Sequence, residues 1–271
     1  MTASGYDETA ALRYAWTESR PDSFSLRLAP RLLRLVAESR DDRPQRALDI
    51  GAGTGQLTDA LRAAGLRTVG VDRSLPMLRH RVDTSSGDRG TVVVGDAMAL
   101  PVIGPFDLVT ATFNVLNHLQ STRSVECALR EVARVLAPGG LFVFDVNTRV
   151  GLVATSERIE RQRSANAETT WRRWWLDDTT LRLHAQGTFD LDGMRHHYVE
   201  TIDKIVLDLA DIERWCMSAG LGSASWRSDD LLTELADPEA HAVAFGVVDR
   251  CSGSRLESRS DPGRPEPTAA Q

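Results

Sequence analysis

Short apolar runs alternate with amphipathic stretches across residues 46–146. The apolar runs predict strands at residues 47–50, 68–71, 91–94, 106–110 and 141–145. The stretches between them have the spacing of amphipathic helices at residues 56–64, 77–82 and 125–136. Buried strands that alternate with helices are typical of a parallel sheet covered on both faces. The pattern therefore predicts an α/β core.

The pattern changes after Asn147. Apolar and mostly polar residues alternate over residues 181–191, which is the period of a half-exposed antiparallel strand. Asp192 and Gly193 are a hairpin turn signal, so a return strand is expected over residues 194–209. The remaining predicted elements are a strand at 169–176, a helix at 211–219 and strands at 224–227 and 241–248.

The chain divides into five predicted regions. They are an N-terminal helical cap (1–40), an α/β core (41–148), an antiparallel insertion (149–209), a C-terminal part of the core (210–251) and a disordered tail (252–271). The tail is polar and rich in proline, which is the basis for expecting disorder. Within the cap, Pro30 predicts a late start or a kink in a leucine-rich helix.

Composition excludes several classes of protein. The 271 residues carry a net charge of −6, which argues against a general nucleic-acid binder, and Lys204 is the sole lysine. Cys127, Cys216 and Cys251 are far apart, so we expect neither disulfides nor a metal site. The sequence contains neither an apolar run as long as a membrane span nor a signal-peptide core. We expect a cytoplasmic protein with no membrane partner, and a homodimer is left open.

A glycine-rich segment follows the first predicted strand, at residues 48–57 (LDIGAGTGQL). A dinucleotide fingerprint would need a further glycine where Gln56 or Thr58 stands, and a phosphate-binding P-loop would need a lysine. Asp49, before the first glycine, suits a cationic ligand better than a pyrophosphate. The alternative is a turn that only packs the helix on the sheet.

Acidic residues also end the next two predicted strands. Asp72 lies where a carboxylate can bind ribose hydroxyls, and Asp96 lies where one can accept from an adenine amino group. Either acid alone could be a helix cap or a turn residue. Acids at three successive strand ends favour a nucleoside-containing ligand.

The sequence resembles the class I S-adenosylmethionine-dependent methyltransferases over about residues 45–148. The segments that carry the resemblance are LDIGAGTGQL, VGVDRSLPML, GDAMALP, FDLVTATFNVLNHL and VARVLAPGGLFVFDVNT, in that order. The resemblance implies an α/β, Rossmann-like seven-stranded methyltransferase sheet with helices on both faces. It also implies an N-terminal helical lid and an antiparallel β insertion after the fifth strand.

The resemblance implies S-adenosyl-L-methionine as the cofactor. Its implied contacts are Asp49, Gly51 and Gly53 at the methionine moiety, Asp72 at the ribose, Asp96 and Ala97 at the adenine, Met77 on the adenine face and Phe113 over the cofactor. Apart from the resemblance, Tyr6, Tyr14 and Trp16 are candidates for an N-terminal lid over the same ligand, and the alternative is that they do not form one. More narrowly, the chain is similar to small-molecule methyltransferases that include amino-sugar N,N-dimethyltransferases of antibiotic pathways.

His118 is the candidate catalytic base, because it follows the fourth predicted strand in the loop that faces the transferred methyl in this family. The alternative is a capping or packed histidine. Asn114 and Asn117 are expected to orient the acceptor, and Asn147 is a further candidate. The main hypothesis is methyl transfer to an oxygen or nitrogen of a small-molecule acceptor. The alternatives are an RNA or protein methyltransferase and a non-catalytic cofactor-binding subunit.

Overall fold

The computed structural model of the protein describes residues 6–20, 22–39, 44–81 and 91–250. Within these ranges the helices are α1 (Glu8–Glu18), α2 (Phe24–Ser39), α3 (Gln56–Ala63), α4 (Leu75–Arg79), α5 (Thr122–Val135), α6 (Arg149–Thr155) and α7 (Leu209–Ser218). The strands are β1 (Arg46–Ile50), β2 (Arg67–Asp72), β3 (Thr91–Val94), β4 (Phe106–Ala111), β5 (Leu136–Asn147), β6 (Ile159–Ser164), β7 (Ala167–Asp177), β8 (Thr180–Leu191), β9 (Met194–Ile205), β10 (Ser225–Arg227) and β11 (Val243–Asp249).

The main sheet has seven strands in the order β10-β11-β5-β4-β1-β2-β3. Strands β1 to β5 run parallel, while β11 is antiparallel to both β5 and β10. The strand order reverses between β1 and β4, so a cleft opens at the carboxyl ends of these two strands. The predicted α/β sheet is confirmed, and its switch point is where sheets of this kind generally bind ligands.

Helices cover both faces of this sheet. On one face, Leu129 and Val132 of α5 and Ile212 of α7 lie in the larger apolar core. On the other, Leu32 of α2 and Leu61 of α3 lie in a second core. Helix α2 packs against the sheet and reaches the cleft at its first residue, Phe24, whereas α1 lies over the cleft.

Two local predictions differ from the structure. A late start or a kink was expected at Pro30, and the late start does not occur, because helix α2 begins at Phe24 and continues through Pro30. Pro30 is exposed, so water can hydrate the carbonyl of Leu26 that loses its helical partner. Strand β5 begins at Leu136 rather than at residue 141, because the amide of Gly139 donates to the carbonyl of Arg250 at 2.7 Å and binds the predicted turn to the end of β11.

The predicted insertion forms a four-stranded antiparallel sheet in the order β6-β7-β8-β9. Asp192 and Gly193 have φ angles of 52° and 76°, as a tight hairpin between β8 and β9 requires, so the hairpin is confirmed. Strand β6 and helix α6 were not predicted. The inner face of this sheet packs through Phe189 on Leu12 and Trp16 of α1, which places α1 between the four-stranded sheet and the cleft.

In the described parts of the chain, no helix is both long and apolar enough to cross a membrane. Cys127 and Cys216 are free thiols, and Cys251 lies outside the described residues. The tail predicted to be disordered, residues 252–271, also lies outside them.

Candidate active site

The glycine loop joins β1 to α3 at the switch point. Gly51, Gly53 and Gly55 all have positive φ angles, of 71°, 56° and 86°, which glycine adopts without a Cβ clash. A Cβ on Gly53 would lie 3.2 Å from Met77 Cε and 3.5 Å from Tyr14 Cε1. The loop therefore approaches α4 and α1 so closely that only glycine fits at position 53 without displacing a neighbour.

Asp72, at the end of β2, is hydrogen-bonded to this loop. Its Oδ2 accepts from the amide of Gly53 at 2.8 Å, and its Oδ1 accepts from the amide of Ser74 at 2.7 Å. Burial raises the pKa of Asp72, and these two hydrogen bonds oppose the rise. Each carboxylate oxygen keeps a lone pair for a further donor, as a ribose-binding acid needs.

Asp49 lies beneath the loop. Its Oδ2 accepts from Thr58 Oγ1 and its Oδ1 from Thr110 Oγ1, both at 2.8 Å. Burial raises the pKa of Asp49 to about 6, while the two threonine hydroxyls lower it. Asp49 is 2% exposed, unlike the partly exposed Asp72, so its two hydrogen bonds give it the role of joining β1, α3 and β4. Its predicted contact with a methionine moiety stays a prediction.

The predicted adenine contacts lie at the far side of the cleft. Asp96 Oδ1 accepts from the amide of Met98 at 2.8 Å in a turn just after β3. Ala97 packs against the larger core. Met77 of α4 is 2% exposed, and the hydroxyl of Ser74 caps its helix by accepting from the Met77 amide at 3.3 Å. The three predicted residues thus occupy the β2–β3 side of the cleft.

Aromatic side chains form the wall over the glycine loop. The ring of Tyr14 lies edge-on to Phe113 with centroids 5.9 Å apart, and to Tyr6 at 6.0 Å. Phe24 of α2 meets Phe113 at 4.5 Å. Burial, more than any neighbouring charge, raises the pKa of both tyrosines, so their phenols stay neutral. Tyr14 of α1 and Tyr6, just before that helix, therefore line the cleft together, as a lid would.

Phe113 and Asn114 form a strained kink after β4. Both have left-handed backbones, with φ angles of 65° and 61°, which residues other than glycine adopt at a cost. Asp145 of β5 holds the kink, because its Oδ2 accepts from the amide of Asn114 at 3.0 Å. The kink directs Phe113 toward Tyr14 and Phe24.

His118 ends a 3₁₀ turn, Leu116–His118, just beyond the kink. Burial chiefly, and the cations Lys204 and Arg73 in addition, lower the pKa of His118 to about 3. The imidazole is therefore neutral but weakly basic. Its role as catalytic base stays a prediction, and this low pKa weakens it.

Asn117 has a different role from the one predicted. Its Nδ2 donates to the carbonyls of Asn147, at 3.1 Å, and Ile205, at 2.9 Å, while its Oδ1 accepts from the Asn147 amide at 2.8 Å. The side chain is fully buried, so it has no polar group left for an acceptor. The expectation that Asn117 orients the acceptor is wrong, because Asn117 ties the ends of β5 and β9 to the turn.

Sequence reasoning missed three charged residues at the cleft, of which two are buried and Lys204 is half-buried. They are Asp145 of β5, and Glu200 and Lys204 of β9. Lys204 Nζ donates to Asn147 Oδ1 at 2.8 Å, and burial lowers the pKa of Lys204 to about 8. The sequence contained signals for two of these residues. Asp145 is a lone aspartate in an apolar run (FVFDV), and Lys204 is the sole lysine of the chain.

Residues 48–144, which contain the glycine loop, the acids at the strand ends and most of β5, match a family model described as a methyltransferase domain. Over this stretch the chain is similar to methyltransferase domains. The solved S-adenosylmethionine-bound structure of an amino pentose methyltransferase from Micromonospora echinaspora has the same fold, with a TM-score of 0.68 at 17% identity. That similarity covers 88% of this chain and 96% of the other.

Two curated relatives match the methyltransferase domain at higher identity. A demethylmenaquinone methyltransferase from Roseiflexus castenholzii is 41% identical over 99 residues, 35% of this chain and 40% of the relative. A cypemycin N-terminal methyltransferase from a Streptomyces species is 36% identical over 145 residues, 52% of this chain and 56% of the relative. The chain thus spans about half the length of the curated relatives it matches.

Proposed function

We propose that this protein transfers a methyl group from S-adenosyl-L-methionine to a nucleophile of a small molecule. The observation that carries the proposal is the hydrogen bond between Gly53 and Asp72, which joins a close-approach glycine loop to an acid at the sheet's switch point. The methyltransferase family match over residues 48–144 supports it.

The cleft residues fit the cofactor chemically. Gly53 leaves room where a Cβ would meet Met77 and Tyr14, and Asp72 keeps lone pairs for ribose hydroxyls. Asp96 and Ala97 would contact the adenine, and Phe113 would lie over the ligand. When bound, S-adenosyl-L-methionine supplies an electrophilic methyl group.

The acceptor side is the part of the cleft bounded by α1, β9 and the turns after β4 and β5. The polar groups on this side suit a methyl acceptor that presents O–H or N–H hydrogen-bond donors. They are Asn114, Asp145, Glu200 and Lys204. Alignment of a nucleophile with a bound methyl group can supply about 7–11 kcal/mol of the barrier, so positioning by these walls is the main catalytic device. His118 completes the wall as a neutral imidazole.

A peptide amine is the second candidate acceptor, because the cypemycin relative is named for methylation of an N-terminus. An RNA acceptor is disfavoured by the net charge of −6, since RNA binding draws on phosphate neutralisation. A non-catalytic cofactor-binding subunit would share the cofactor cleft without needing the acceptor side. We also propose a cytoplasmic location on the basis of composition.

Two measurements test the proposal together. Calorimetric titration with S-adenosyl-L-methionine and S-adenosylhomocysteine should show saturable binding. Transfer of a labelled methyl group to a panel of amines, alcohols, quinones, short peptides and bulk RNA should label a small molecule. Absence of binding at high micromolar cofactor would refute all methyltransferase interpretations. Binding without transfer would favour the non-catalytic subunit.

A further inference from the structure

Asp145 has a carboxylate oxygen without a hydrogen-bond partner at the acceptor side of the cleft. The residue lies near the carboxyl end of β5, beside β4, and is 2% exposed. Its Oδ2 holds the kink through the amide of Asn114, whereas Oδ1 has no hydrogen-bond partner within the described residues. A buried oxygen without a donor is costly, and such groups occur where a ligand brings the donor.

Lys204 is the cation that acts on Asp145. Its ammonium group is fixed by the 2.8 Å bond to Asn147 Oδ1, two residues beyond Asp145 on β5. The charge of Lys204 lowers the pKa of Asp145, and Asp145 in turn raises that of Lys204. Position and charge therefore couple the two side chains across the cleft.

Two of the other charged groups near this pair lie in ion pairs of their own. Arg173 of β7 pairs with Glu160 at 3.2 Å, and Glu200 of β9 lies 3.8 Å from Arg13 of α1. Arg173 and Glu200 act on Lys204 with opposite signs. Two more titratable groups lie near the pair, namely His118 in the turn after β4 and Arg73 just before α4. His118 is neutral. Lys204 is thus the cation whose charge acts directly on Asp145.

We propose that Asp145 binds the hydrogen-bond donor of the acceptor's nucleophile through Oδ1 and takes its proton, with Lys204 as the positioning residue. This rests on the proposed function. As the nucleophile's lone pair forms the bond to the methyl carbon, the carbon–sulfur bond breaks and its electron pair stays on sulfur. The proton moves from the nucleophile to Asp145 Oδ1 and then to water. The sulfonium charge and the carboxylate charge are both neutralised, so charge balances.

The acid–base properties of the site agree with this assignment. Burial raises the pKa of Asp145 to about 7. The amides of Asn114 and Phe113 and the Lys204 ammonium oppose this rise. A base works best when its pKa lies near the operating pH. The pKa of His118, at about 3, is far below that range.

Carbon-13 NMR of the aspartate side-chain carboxyls tests the assignment on protein saturated with S-adenosylhomocysteine, without any acceptor. Asp145→Asn identifies the Asp145 resonance, which should titrate in the wild type with a midpoint of about 7. Lys204→Met should raise that midpoint by about 1 unit, because a nearby cation favours the charged carboxylate. Asp203→Asn is the matched control. Asp203 is next to Lys204 in sequence but pairs with Arg182, so its replacement should leave the Asp145 midpoint unchanged.

The kinetic arm uses the best methyl acceptor found in the panel. Asp145→Asn should lower kcat by about 10²–10⁴-fold and remove the limb in which the rate rises with pH. Lys204→Met should shift that limb to higher pH, in parallel with the NMR midpoint of Asp145. A limb caused by the acceptor's own ionisation would not shift in this way. The affinity for S-adenosylhomocysteine should be unchanged in both variants.

The two proposals fail in different ways. Loss of S-adenosylhomocysteine binding in the wild type would refute the proposed function. Intact binding with an Asp145 midpoint below pH 5, or with a midpoint that Lys204→Met leaves in place, would overturn the assignment of Asp145 alone. If Asp145→Asn fails to fold, the shift of the kinetic pH limb in Lys204→Met still decides, because it needs no assigned resonance.

Discussion

The amide of Gly53 donates to Asp72 Oδ2 at 2.8 Å, so the glycine loop and the end of β2 form one hydrogen-bonded unit. Asp72 therefore has two roles, because the carboxylate that fixes the loop also faces the cleft. The second oxygen is held by the amide of Ser74, which fixes the rotamer of the side chain. A change at Asp72 will alter the shape of the loop as well as remove a ligand contact.

Asp72→Ala should weaken binding of S-adenosylhomocysteine about 10- to 100-fold. Hydrogen bonds from ribose hydroxyls to a charged group are worth about 1.5–3 kcal/mol, and the loss of the Gly53 contact adds to this. Calorimetry at pH 7.5 measures the effect, and Asp203→Ala is the control for loss of a carboxylate elsewhere. Equal affinities for the wild type and Asp72→Ala would show that the ribose-binding acid does not lie at the end of β2.

Gly53→Ala should lower cofactor affinity more than tenfold. The new Cβ would lie 3.2 Å from Met77 Cε at a φ of +56°, so it adds crowding to backbone strain. Gly65→Ala is the matched control, since Gly65 has a φ of +99° but nothing within 4 Å of a Cβ. Both variants should lose about 1 kcal/mol of unfolding free energy, but only Gly53→Ala should lose binding. Equal affinity losses would mean that strain alone accounts for the effect.

The cofactor side could be predicted from the sequence because its determinants lie in continuous segments. The glycine loop, Asp72 and Asp96 each follow directly from a strand, and parallel strands bring their carboxyl ends to one edge. Position in the chain therefore fixed position in the cleft. The aromatic contact between Tyr14 and Phe113 was not predicted, although each residue was expected to lie over the cofactor.

The acceptor side could not be predicted in the same way. Lys204 acts on Asp145 because β9 of the inserted sheet reaches Asn147 at the end of β5. Strand register across two sheets is not encoded in local periodicity. Asn117 shows the same limit, since its role as a bridge depends on the carbonyls of Asn147 and Ile205. A polar residue near a motif can be recognised from sequence, but its partners cannot.

Tyr14→Ala should weaken S-adenosylhomocysteine binding about 2- to 10-fold, because an aromatic contact is worth about 0.5–1.5 kcal/mol. The ring of Tyr14 lies against Phe113 and over Gly53, so it is the ring rather than the hydroxyl that shapes the cleft. Tyr14→Phe is the control and should bind as the wild type does. A comparable loss in Tyr14→Phe would assign the effect to the hydroxyl group.

His118→Gln should make the protein less sensitive to acid. The pKa of His118 falls from 6.5 to about 3 on folding, so between these pH values the native state binds fewer protons than the unfolded state. Stability from this group is therefore full above pH 6.5 and is lost as the pH falls toward 3. At pH 5 the loss is about 2 kcal/mol, which glutamine, having no titrating group, should not show.

Urea unfolding at pH 7 and pH 5 measures the difference directly. The fall in unfolding free energy between the two pH values should be smaller in His118→Gln than in the wild type, while other acid-sensitive groups cancel in the comparison. The same variant separates the two roles of His118, since a base should lower turnover about 10²–10⁴-fold on removal. With a pKa of about 3, the expected loss is less than tenfold. A large loss of turnover with unchanged acid sensitivity would restore His118 as the base and would remove the reason for assigning that role to Asp145.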